Sequence, residues 1–185
     1  GDLLEEYVAL QSAESLEAAD EGLEKYTAAD ILTLLQEEAD SSTRIPIMPR
    51  ALNERLDEGM RPSDSMIILA RPELGKTALV LTIACGLARR GKKVILFNNE
   101  ERIQRLFIRA ISCITGLTVP QIRQDLTTAN RLAMEAGFGN LVFISMSPGS
   151  PKQIDAELEN YPDAVAYIVD QLRNLAIKSD NKTVQ

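Results

Sequence analysis

A chain of 185 residues, 45% of them apolar, is long enough to bury a core in one ordinary domain with an appendage and too short for two full domains. It has no histidine and only two cysteines, Cys85 and Cys113, distant in sequence and each in an apolar, helix-like setting, which argues against zinc and against histidine-based catalysis. A net charge of −7 argues against broad electrostatic attraction to nucleic acid, and no apolar run is long enough to cross a bilayer.

The chain opens on Gly1 with no basic segment followed by an apolar one, so no signal peptide is expected, and a soluble cytoplasmic protein or a fragment of one is. Residues 3–23 are rich in Ala, Leu and Glu at helical spacing and predict one helix or a broken pair. A second helix is predicted from a Thr27 cap to about Ala39, with Ile31, Leu32, Leu34 and Leu35 forming an apolar stripe that needs a partner surface. Turn formers and two prolines over 40–49 read as an extended linker, and a short helix is expected over 50–58. This places a domain boundary after residue 44, with a helical region over 1–44 and a second domain over 45–185. Much of the acid lies before that boundary, whereas Arg89, Arg90, Lys92, Lys93, Arg102, Arg105 and Arg109 gather after it, so net charge alone does not decide whether the second domain meets DNA.

From Ser65 onward strand and helix patterns alternate, the signature of a parallel sheet covered by helices in an α/β fold. Strands are predicted over 66–70, 94–97, 141–145 and 165–169, and helices over 76–90, 102–115, 120–124, 128–136 and 152–159. The first strand runs into Ala70-Arg71-Pro72-Glu73-Leu74-Gly75-Lys76-Thr77-Ala78, and a helix-forming stretch follows at once. That is the setting of a phosphate-binding P-loop of Walker A type. Backbone N–H groups and a helix N-terminus cradle the phosphates, Gly75 allows close approach, Lys76 neutralises the β and γ oxygens, and the Thr77 hydroxyl holds Mg2+. Ala70 stands where the usual pattern has glycine. The second strand ends in Asn98-Asn99-Glu100-Glu101, which puts carboxylates at the edge where ligands bind in open parallel sheets. Read on residues alone, Glu100 serves equally well as a base or as a helix-capping charge, and Glu101 reads as the cap. The fourth strand ends in Asp170, apolar before and acidic at the tip, as a Walker B strand that binds Mg2+ would be.

These pieces, in this order, resemble the RecA-like motor domain of the DnaB-type replicative helicases and the related phage primase-helicases. The most specific element is the Ala-Arg-Pro form of the phosphate loop at Ala70-Arg71-Pro72, supported by Leu52 to Leu56, by Gly59 to Asp64, by Asn99-Glu100 and by Val169-Asp170-Gln171-Leu172. The resemblance covers about residues 45–185. It implies an ATPase using ATP and Mg2+, with Lys76 and Glu100 catalytic, Glu100 activating the hydrolytic water, and Thr77 and Asp170 at the metal. It implies a ring-shaped homo-oligomer, a hexamer, moving on single-stranded DNA, with primase or a helicase loader as further partners, in a bacterial cell or a phage-infected host. It also implies a truncated core, because only residues 171–185 follow Asp170: the start of a DNA-facing loop near 177–182 is present, but a γ-phosphate sensor strand, a later DNA loop and an arginine finger are not. An aromatic content of 4% favours a grip on the DNA backbone over base stacking. Arg102, Arg105 and Arg109 share a helical face and read as solvated or interfacial. A recombinase-like or signalling RecA-type ATPase, or a catalytically incomplete partner-binding module, are the alternatives.

Overall fold

The computed structural model describes residues 27–39, 43–71, 73–146 and 149–171, and divides into two compact units, 1–42 and 43–185. The helix predicted over 3–23 and the DNA-facing loop near 177–182 lie outside the described residues. In the first unit, α1 spans Ile31–Ala39. It is entered through a turn in which the Asp30 carboxylate accepts from both the backbone N–H and the hydroxyl of Thr27, at 2.7 Å each. These bonds satisfy a donor at the helix start and hold the Asp30 carboxyl below its ordinary pKa. Ile31, Leu32 and Leu35 on this helix are exposed.

The second unit begins earlier than a linker over 40–49 would allow. Ile45 forms an antiparallel bridge with Met60, its N–H and carbonyl bonded at 2.7 and 3.0 Å, and Ile47 is buried in the core with its N–H donating to Asn53 Oδ1 at 2.7 Å. The short helix α2 (Arg50–Arg55) sits between these residues and stops before residue 58, because Asp57 and Glu58 both adopt positive φ. An extended linker would not bury an isoleucine, so residues 45–49 are part of the folded unit.

Three parallel strands form the sheet: β1 (Val94–Asn98) lies between β2 (Leu141–Ser145) and β3 (Ala166–Asp170). The register aligns Asn98 with Ser145 on one side and with Asp170 on the other, so the strands end together at one carboxyl edge. Alternation along β1 feeds two cores. Val94 and Leu96 face the larger one, packed with Leu81, Leu87, Leu106 and Ile114, while Ile95 and Phe97 face the smaller one with Met146, Ile154 and Tyr161. Every residue of β1 is therefore buried, as expected for a parallel strand covered on both faces. The larger core is built by α3 (Lys76–Ala88), α4 (Ile103–Thr115) and α6 (Leu126–Glu135), with α5 (Val119–Gln124) beside them. The smaller one is closed by α7 (Pro151–Asn160), which enters through a Ser150–Gln153 capping box.

The strand predicted over 66–70 is not in the sheet. Met66 and Ile68 pack against the larger core, whereas Ile67 and Leu69 are 72% and 89% exposed. The alternation that predicts a strand is therefore present, but no ladder partner for it occurs among the described residues. The helix predicted over 128–136 starts at Leu126 instead, because Asp125 caps it by accepting the Thr128 N–H at 2.9 Å.

The two cysteines, far apart in sequence, come together where α3 crosses α4. Each thiol donates to a carbonyl of the facing helix, Cys85 Sγ to Ala110 O and Cys113 Sγ to Leu81 O, both at 3.7 Å, and the two thiols lie close enough to influence each other. The neighbouring Cys85 pulls the half-buried Cys113 thiol down, helped by Thr82 and the Arg89 charge. The same neighbour relation, with burial, pushes Cys85 up.

Candidate functional site

The phosphate loop leads into α3 through two residues with left-handed backbone, Glu73 at φ +65° and Gly75 at φ +88°. Gly75 is the N-cap, and a Cβ there would meet nothing closer than 4.0 Å, so the glycine is needed for its dihedral rather than for space. The first turn of α3 carries no acidic side chain and no side-chain cap, which leaves its N–H groups and the positive end of its dipole available to an anion. Helix α3 is apolar all round and largely buried, so this N-terminus is held by the core rather than by the loop.

Lys76 and Thr77 open the helix. The Thr77 hydroxyl donates to Asp170 Oδ2 at 2.9 Å, which joins the start of α3 to the tip of β3 across 93 residues of sequence. Asp170 is 4% exposed. Two neighbouring oxygen ligands of an octahedral magnesium ion, each about 2.1 Å from it, lie roughly 3.0 Å apart, so the pair has the chemistry and separation that this ion requires. Among the described residues no group of three or more Asp, Glu, His or Cys gathers elsewhere to hold a metal.

A cleft of about 670 Å³ brings Glu73, Gly75, Lys76, Thr77, Glu100 and Gln171 together, with Glu101, Arg102, Arg105 and Arg109 along its far side. Of the other residues singled out in the phosphate loop, Ala70, Arg71 and Leu74 are exposed in the loop itself and Ala78 is exposed on the first turn of α3; Pro72 lies outside the described residues.

The turn that presents Glu100 is tied down on both sides. Buried Asn98, at the end of β1, donates through Nδ2 to the Glu101 carbonyl at 2.6 Å and accepts the Glu101 N–H at 3.3 Å, while Asn99 Nδ2 donates to the Gln171 carbonyl at 2.9 Å, just past Asp170. Glu100 is left exposed on the cleft between them. Glu101, read from sequence as a helix-capping charge, has another role. Its carboxylate is 3.0 Å from Arg109 Nη1 and 3.7 Å from Arg105 Nε, and the N-cap position of α4 is Arg102. Sequence reasoning missed this clamp and the two asparagine ties. The Glu101 and Arg105 spacing of i and i+4 was the available signal.

The family described as DnaB-like helicase C terminal domain matches residues 49–181. The chain belongs to this family. Among curated relatives, the replicative DNA helicase DnaB of Buchnera aphidicola subsp. Baizongia pistaciae (strain Bp) is 33% identical over 66 residues, covering 35% of this chain and 14% of that protein. DnaB of Geobacillus stearothermophilus is 32% identical over 76 residues, 40% of this chain and 17% of that protein. The matched part thus spans about a sixth of those relatives. A solved DnaB-like replicative helicase, determined together with its interactions with primase, superposes with a TM-score of 0.68 at 20% identity, over 95% of this chain and 46% of that one. A solved ATPase domain gives 0.66 at 19% identity over 87% of this chain and 62% of that one. The DnaB-like domain therefore has a RecA-like α/β fold with a parallel sheet, as the sequence predicts. Among the described residues no helix is long and apolar enough to cross a membrane.

Proposed function

We propose that this DnaB-like domain is the ATP-binding part of a replicative helicase motor, which hydrolyses ATP to translocate on single-stranded DNA and unwind duplex. The observation that carries the reading is the 2.9 Å contact of Asp170 with Thr77, which lines a cleft that also presents Lys76 and Glu100. In this reading the loop over 70–78 and the N-terminus of α3 bind the triphosphate through backbone amides, and Lys76 balances charge on its β and γ oxygens. Thr77 and Asp170 hold Mg2+, which when bound supplies positive charge to the phosphate oxygens. Glu100, exposed and fixed by the Asn98 and Asn99 ties, orients water in line with the γ-phosphate and accepts its proton. A ring of identical subunits, a hexamer, acting in the cytoplasm with primase or a loader as partner, completes the proposal.

The test is binding of a fluorescent ATP analogue with magnesium to the chain, beside Lys76→Ala and Asp170→Asn, with folding checked by circular dichroism. Saturable binding is expected in the wild type. Lys76→Ala weakens it on the order of a hundredfold through loss of a charge-assisted contact, and Asp170→Asn reduces its dependence on magnesium. Equal binding by all three folded proteins would refute the site.

A further inference from the structure

Cys85 on α3 and Cys113 on α4 pack in the larger core, and neither lines the nucleotide cleft. In an α-helix the carbonyl of residue i points along the axis toward the N–H of residue i+4. The Ala110 carbonyl therefore lies beside the turn that holds Cys113, and the Leu81 carbonyl beside the turn that holds Cys85. Because Cys85 Sγ donates to Ala110 O and Cys113 Sγ to Leu81 O, both at 3.7 Å, each sulfur reaches the turn that carries the other cysteine. The two sulfurs thus face each other across the helix crossing.

Their surroundings differ. Cys85 is buried, whereas Cys113 is partly exposed. Arg89 donates through Nε to the Ile114 carbonyl at 3.1 Å and through Nη2 to the carbonyls of Cys113 and Ile114. A fixed cation therefore covers the negative end of α4, which would otherwise oppose a thiolate there. Cys85 first, then Thr82 and the Arg89 charge, hold the Cys113 thiol down at about 6 although burial acts the other way. A structural cysteine buried in an apolar core is inert, but a reachable sulfur with a cation beside it and a second sulfur behind it can be oxidised and then resolved.

We propose that Cys113 and Cys85 form a hydroperoxide-responsive thiol pair, with Cys113 as the attacking sulfur and Cys85 as the resolving one, which closes to a reversible disulfide stapling α3 to α4. The Cys113 sulfur attacks one oxygen of hydrogen peroxide, the O–O bond breaks, and the departing hydroxide leaves as water with the Cys113 proton, so that Cys113 becomes a sulfenic acid. The Cys85 sulfur then attacks the Cys113 sulfur, the S–O bond breaks, and the second hydroxide leaves as water with the Cys85 proton as the S–S bond forms. Two thiols lose two electrons, and one peroxide is reduced to two waters. A dithiol reductant reopens the bond by exchange.

The experiment treats the folded chain with hydrogen peroxide, quenches with catalase, unfolds it, alkylates the remaining thiols and reads intact mass and non-reducing peptide maps. The wild type should lose two hydrogens, take up no alkyl group and yield one peptide pair joined through Cys85 and Cys113, all reversed by dithiothreitol. Cys85→Ala should leave Cys113 to stop at the sulfenic acid, trapped by dimedone, or to add further oxygen. In Cys113→Ala, Cys85 should stay reduced and alkylatable. The oxidised wild type should unfold at a urea midpoint higher by roughly 1 M than the reduced form, since the bond closes a loop within the native fold. Circular dichroism checks each variant, and Cys85→Ser repeats the test if Cys85→Ala does not fold. Two alkylatable thiols in the peroxide-treated wild type, a disulfide that joins two chains instead of two helices, or oxidation of Cys85 in Cys113→Ala as fast as the wild-type pair closes, overturns the proposal. So does a lower urea midpoint in the oxidised form, which would mean that the bond forms only where the helix crossing has come apart.

Discussion

Two five-residue apolar stretches of this molecule, Val94-Ile95-Leu96-Phe97-Asn98 and Met66-Ile67-Ile68-Leu69-Ala70, meet opposite fates. The first is the middle strand of the sheet and is buried throughout; the second contributes Met66 and Ile68 to the same core and leaves Ile67 and Leu69 in solvent. Hydrophobicity does not separate them. Their surroundings do: β1 has a ladder on each side and a packed layer on each face, while 66–70 is covered on one face and has no ladder among the described residues. Burial in a parallel sheet is a property of neighbours, so an apolar pentapeptide reads as a strand before its partners are known.

The largest expected effect tests that contrast directly. Leu96→Ala removes a fully buried side chain from the larger core and should lower stability by about 3 kcal/mol or more. Leu69→Ala, at 89% exposure, should change it by less than about 0.5 kcal/mol. Urea midpoints of the two variants measure both, and a Leu69→Ala loss comparable to that of Leu96→Ala would show that the 66–70 segment is buried in solution.

Glycine sharpens the comparison with a smaller effect. Gly137, at φ +98°, is packed so that a Cβ would come within 2.5 Å of the Ala88 carbonyl at the end of α3. Gly75 has the same handedness at φ +88° but open space around it. Gly137→Ala should therefore cost about 2 kcal/mol from strain plus a forced backbone shift, and Gly75→Ala nearer 1 kcal/mol from strain alone. In thermal unfolding the first is expected to fall further, whereas the ATP-analogue assay should rank them in reverse, since the Gly75 amide belongs to the phosphate loop.

The same division explains what sequence made legible. The strands over 94–98, 141–145 and 166–170 and the helices between them carry strong periodicity, and their observed bounds lie within about two residues of those expected. Gly75, Lys76 and Thr77 stand where a loop becomes a helix and Asp170 where a strand ends, so a chemistry could be proposed for them from order alone. The 66–70 segment was misread because ladder partners are not written in its own residues. Ile47 was misread because turn formers on either side mask a single buried side chain. The meeting of Cys85 with Cys113 depends on how helices cross, which local pattern does not contain, whereas the Glu101–Arg109 clamp depends on how the turn after β1 sets Glu101 over α4.

The smallest expected effect lies at the exposed end of the scale, where interactions are made in water. Asp125 caps α6 by accepting the Thr128 N–H at 2.9 Å, and hydrogen bonds to Thr128 hold its carboxyl below the ordinary value of 3.8. A carboxyl whose pKa is lower folded than unfolded stabilises the fold above the unfolded value, and that contribution is lost as pH falls through the folded one. Asp125→Ala should therefore unfold at lower urea than the wild type at neutral pH, with the gap narrowing below about pH 4 as the wild-type carboxylate is protonated. Asp125→Asn keeps an acceptor at the cap without a titrating group. It should stay close to the wild type at neutral pH, and its advantage over Asp125→Ala should not narrow in acid. A gap between wild type and Asp125→Ala that is unchanged in acid would mean that the capping geometry, and not the charge, carries the effect.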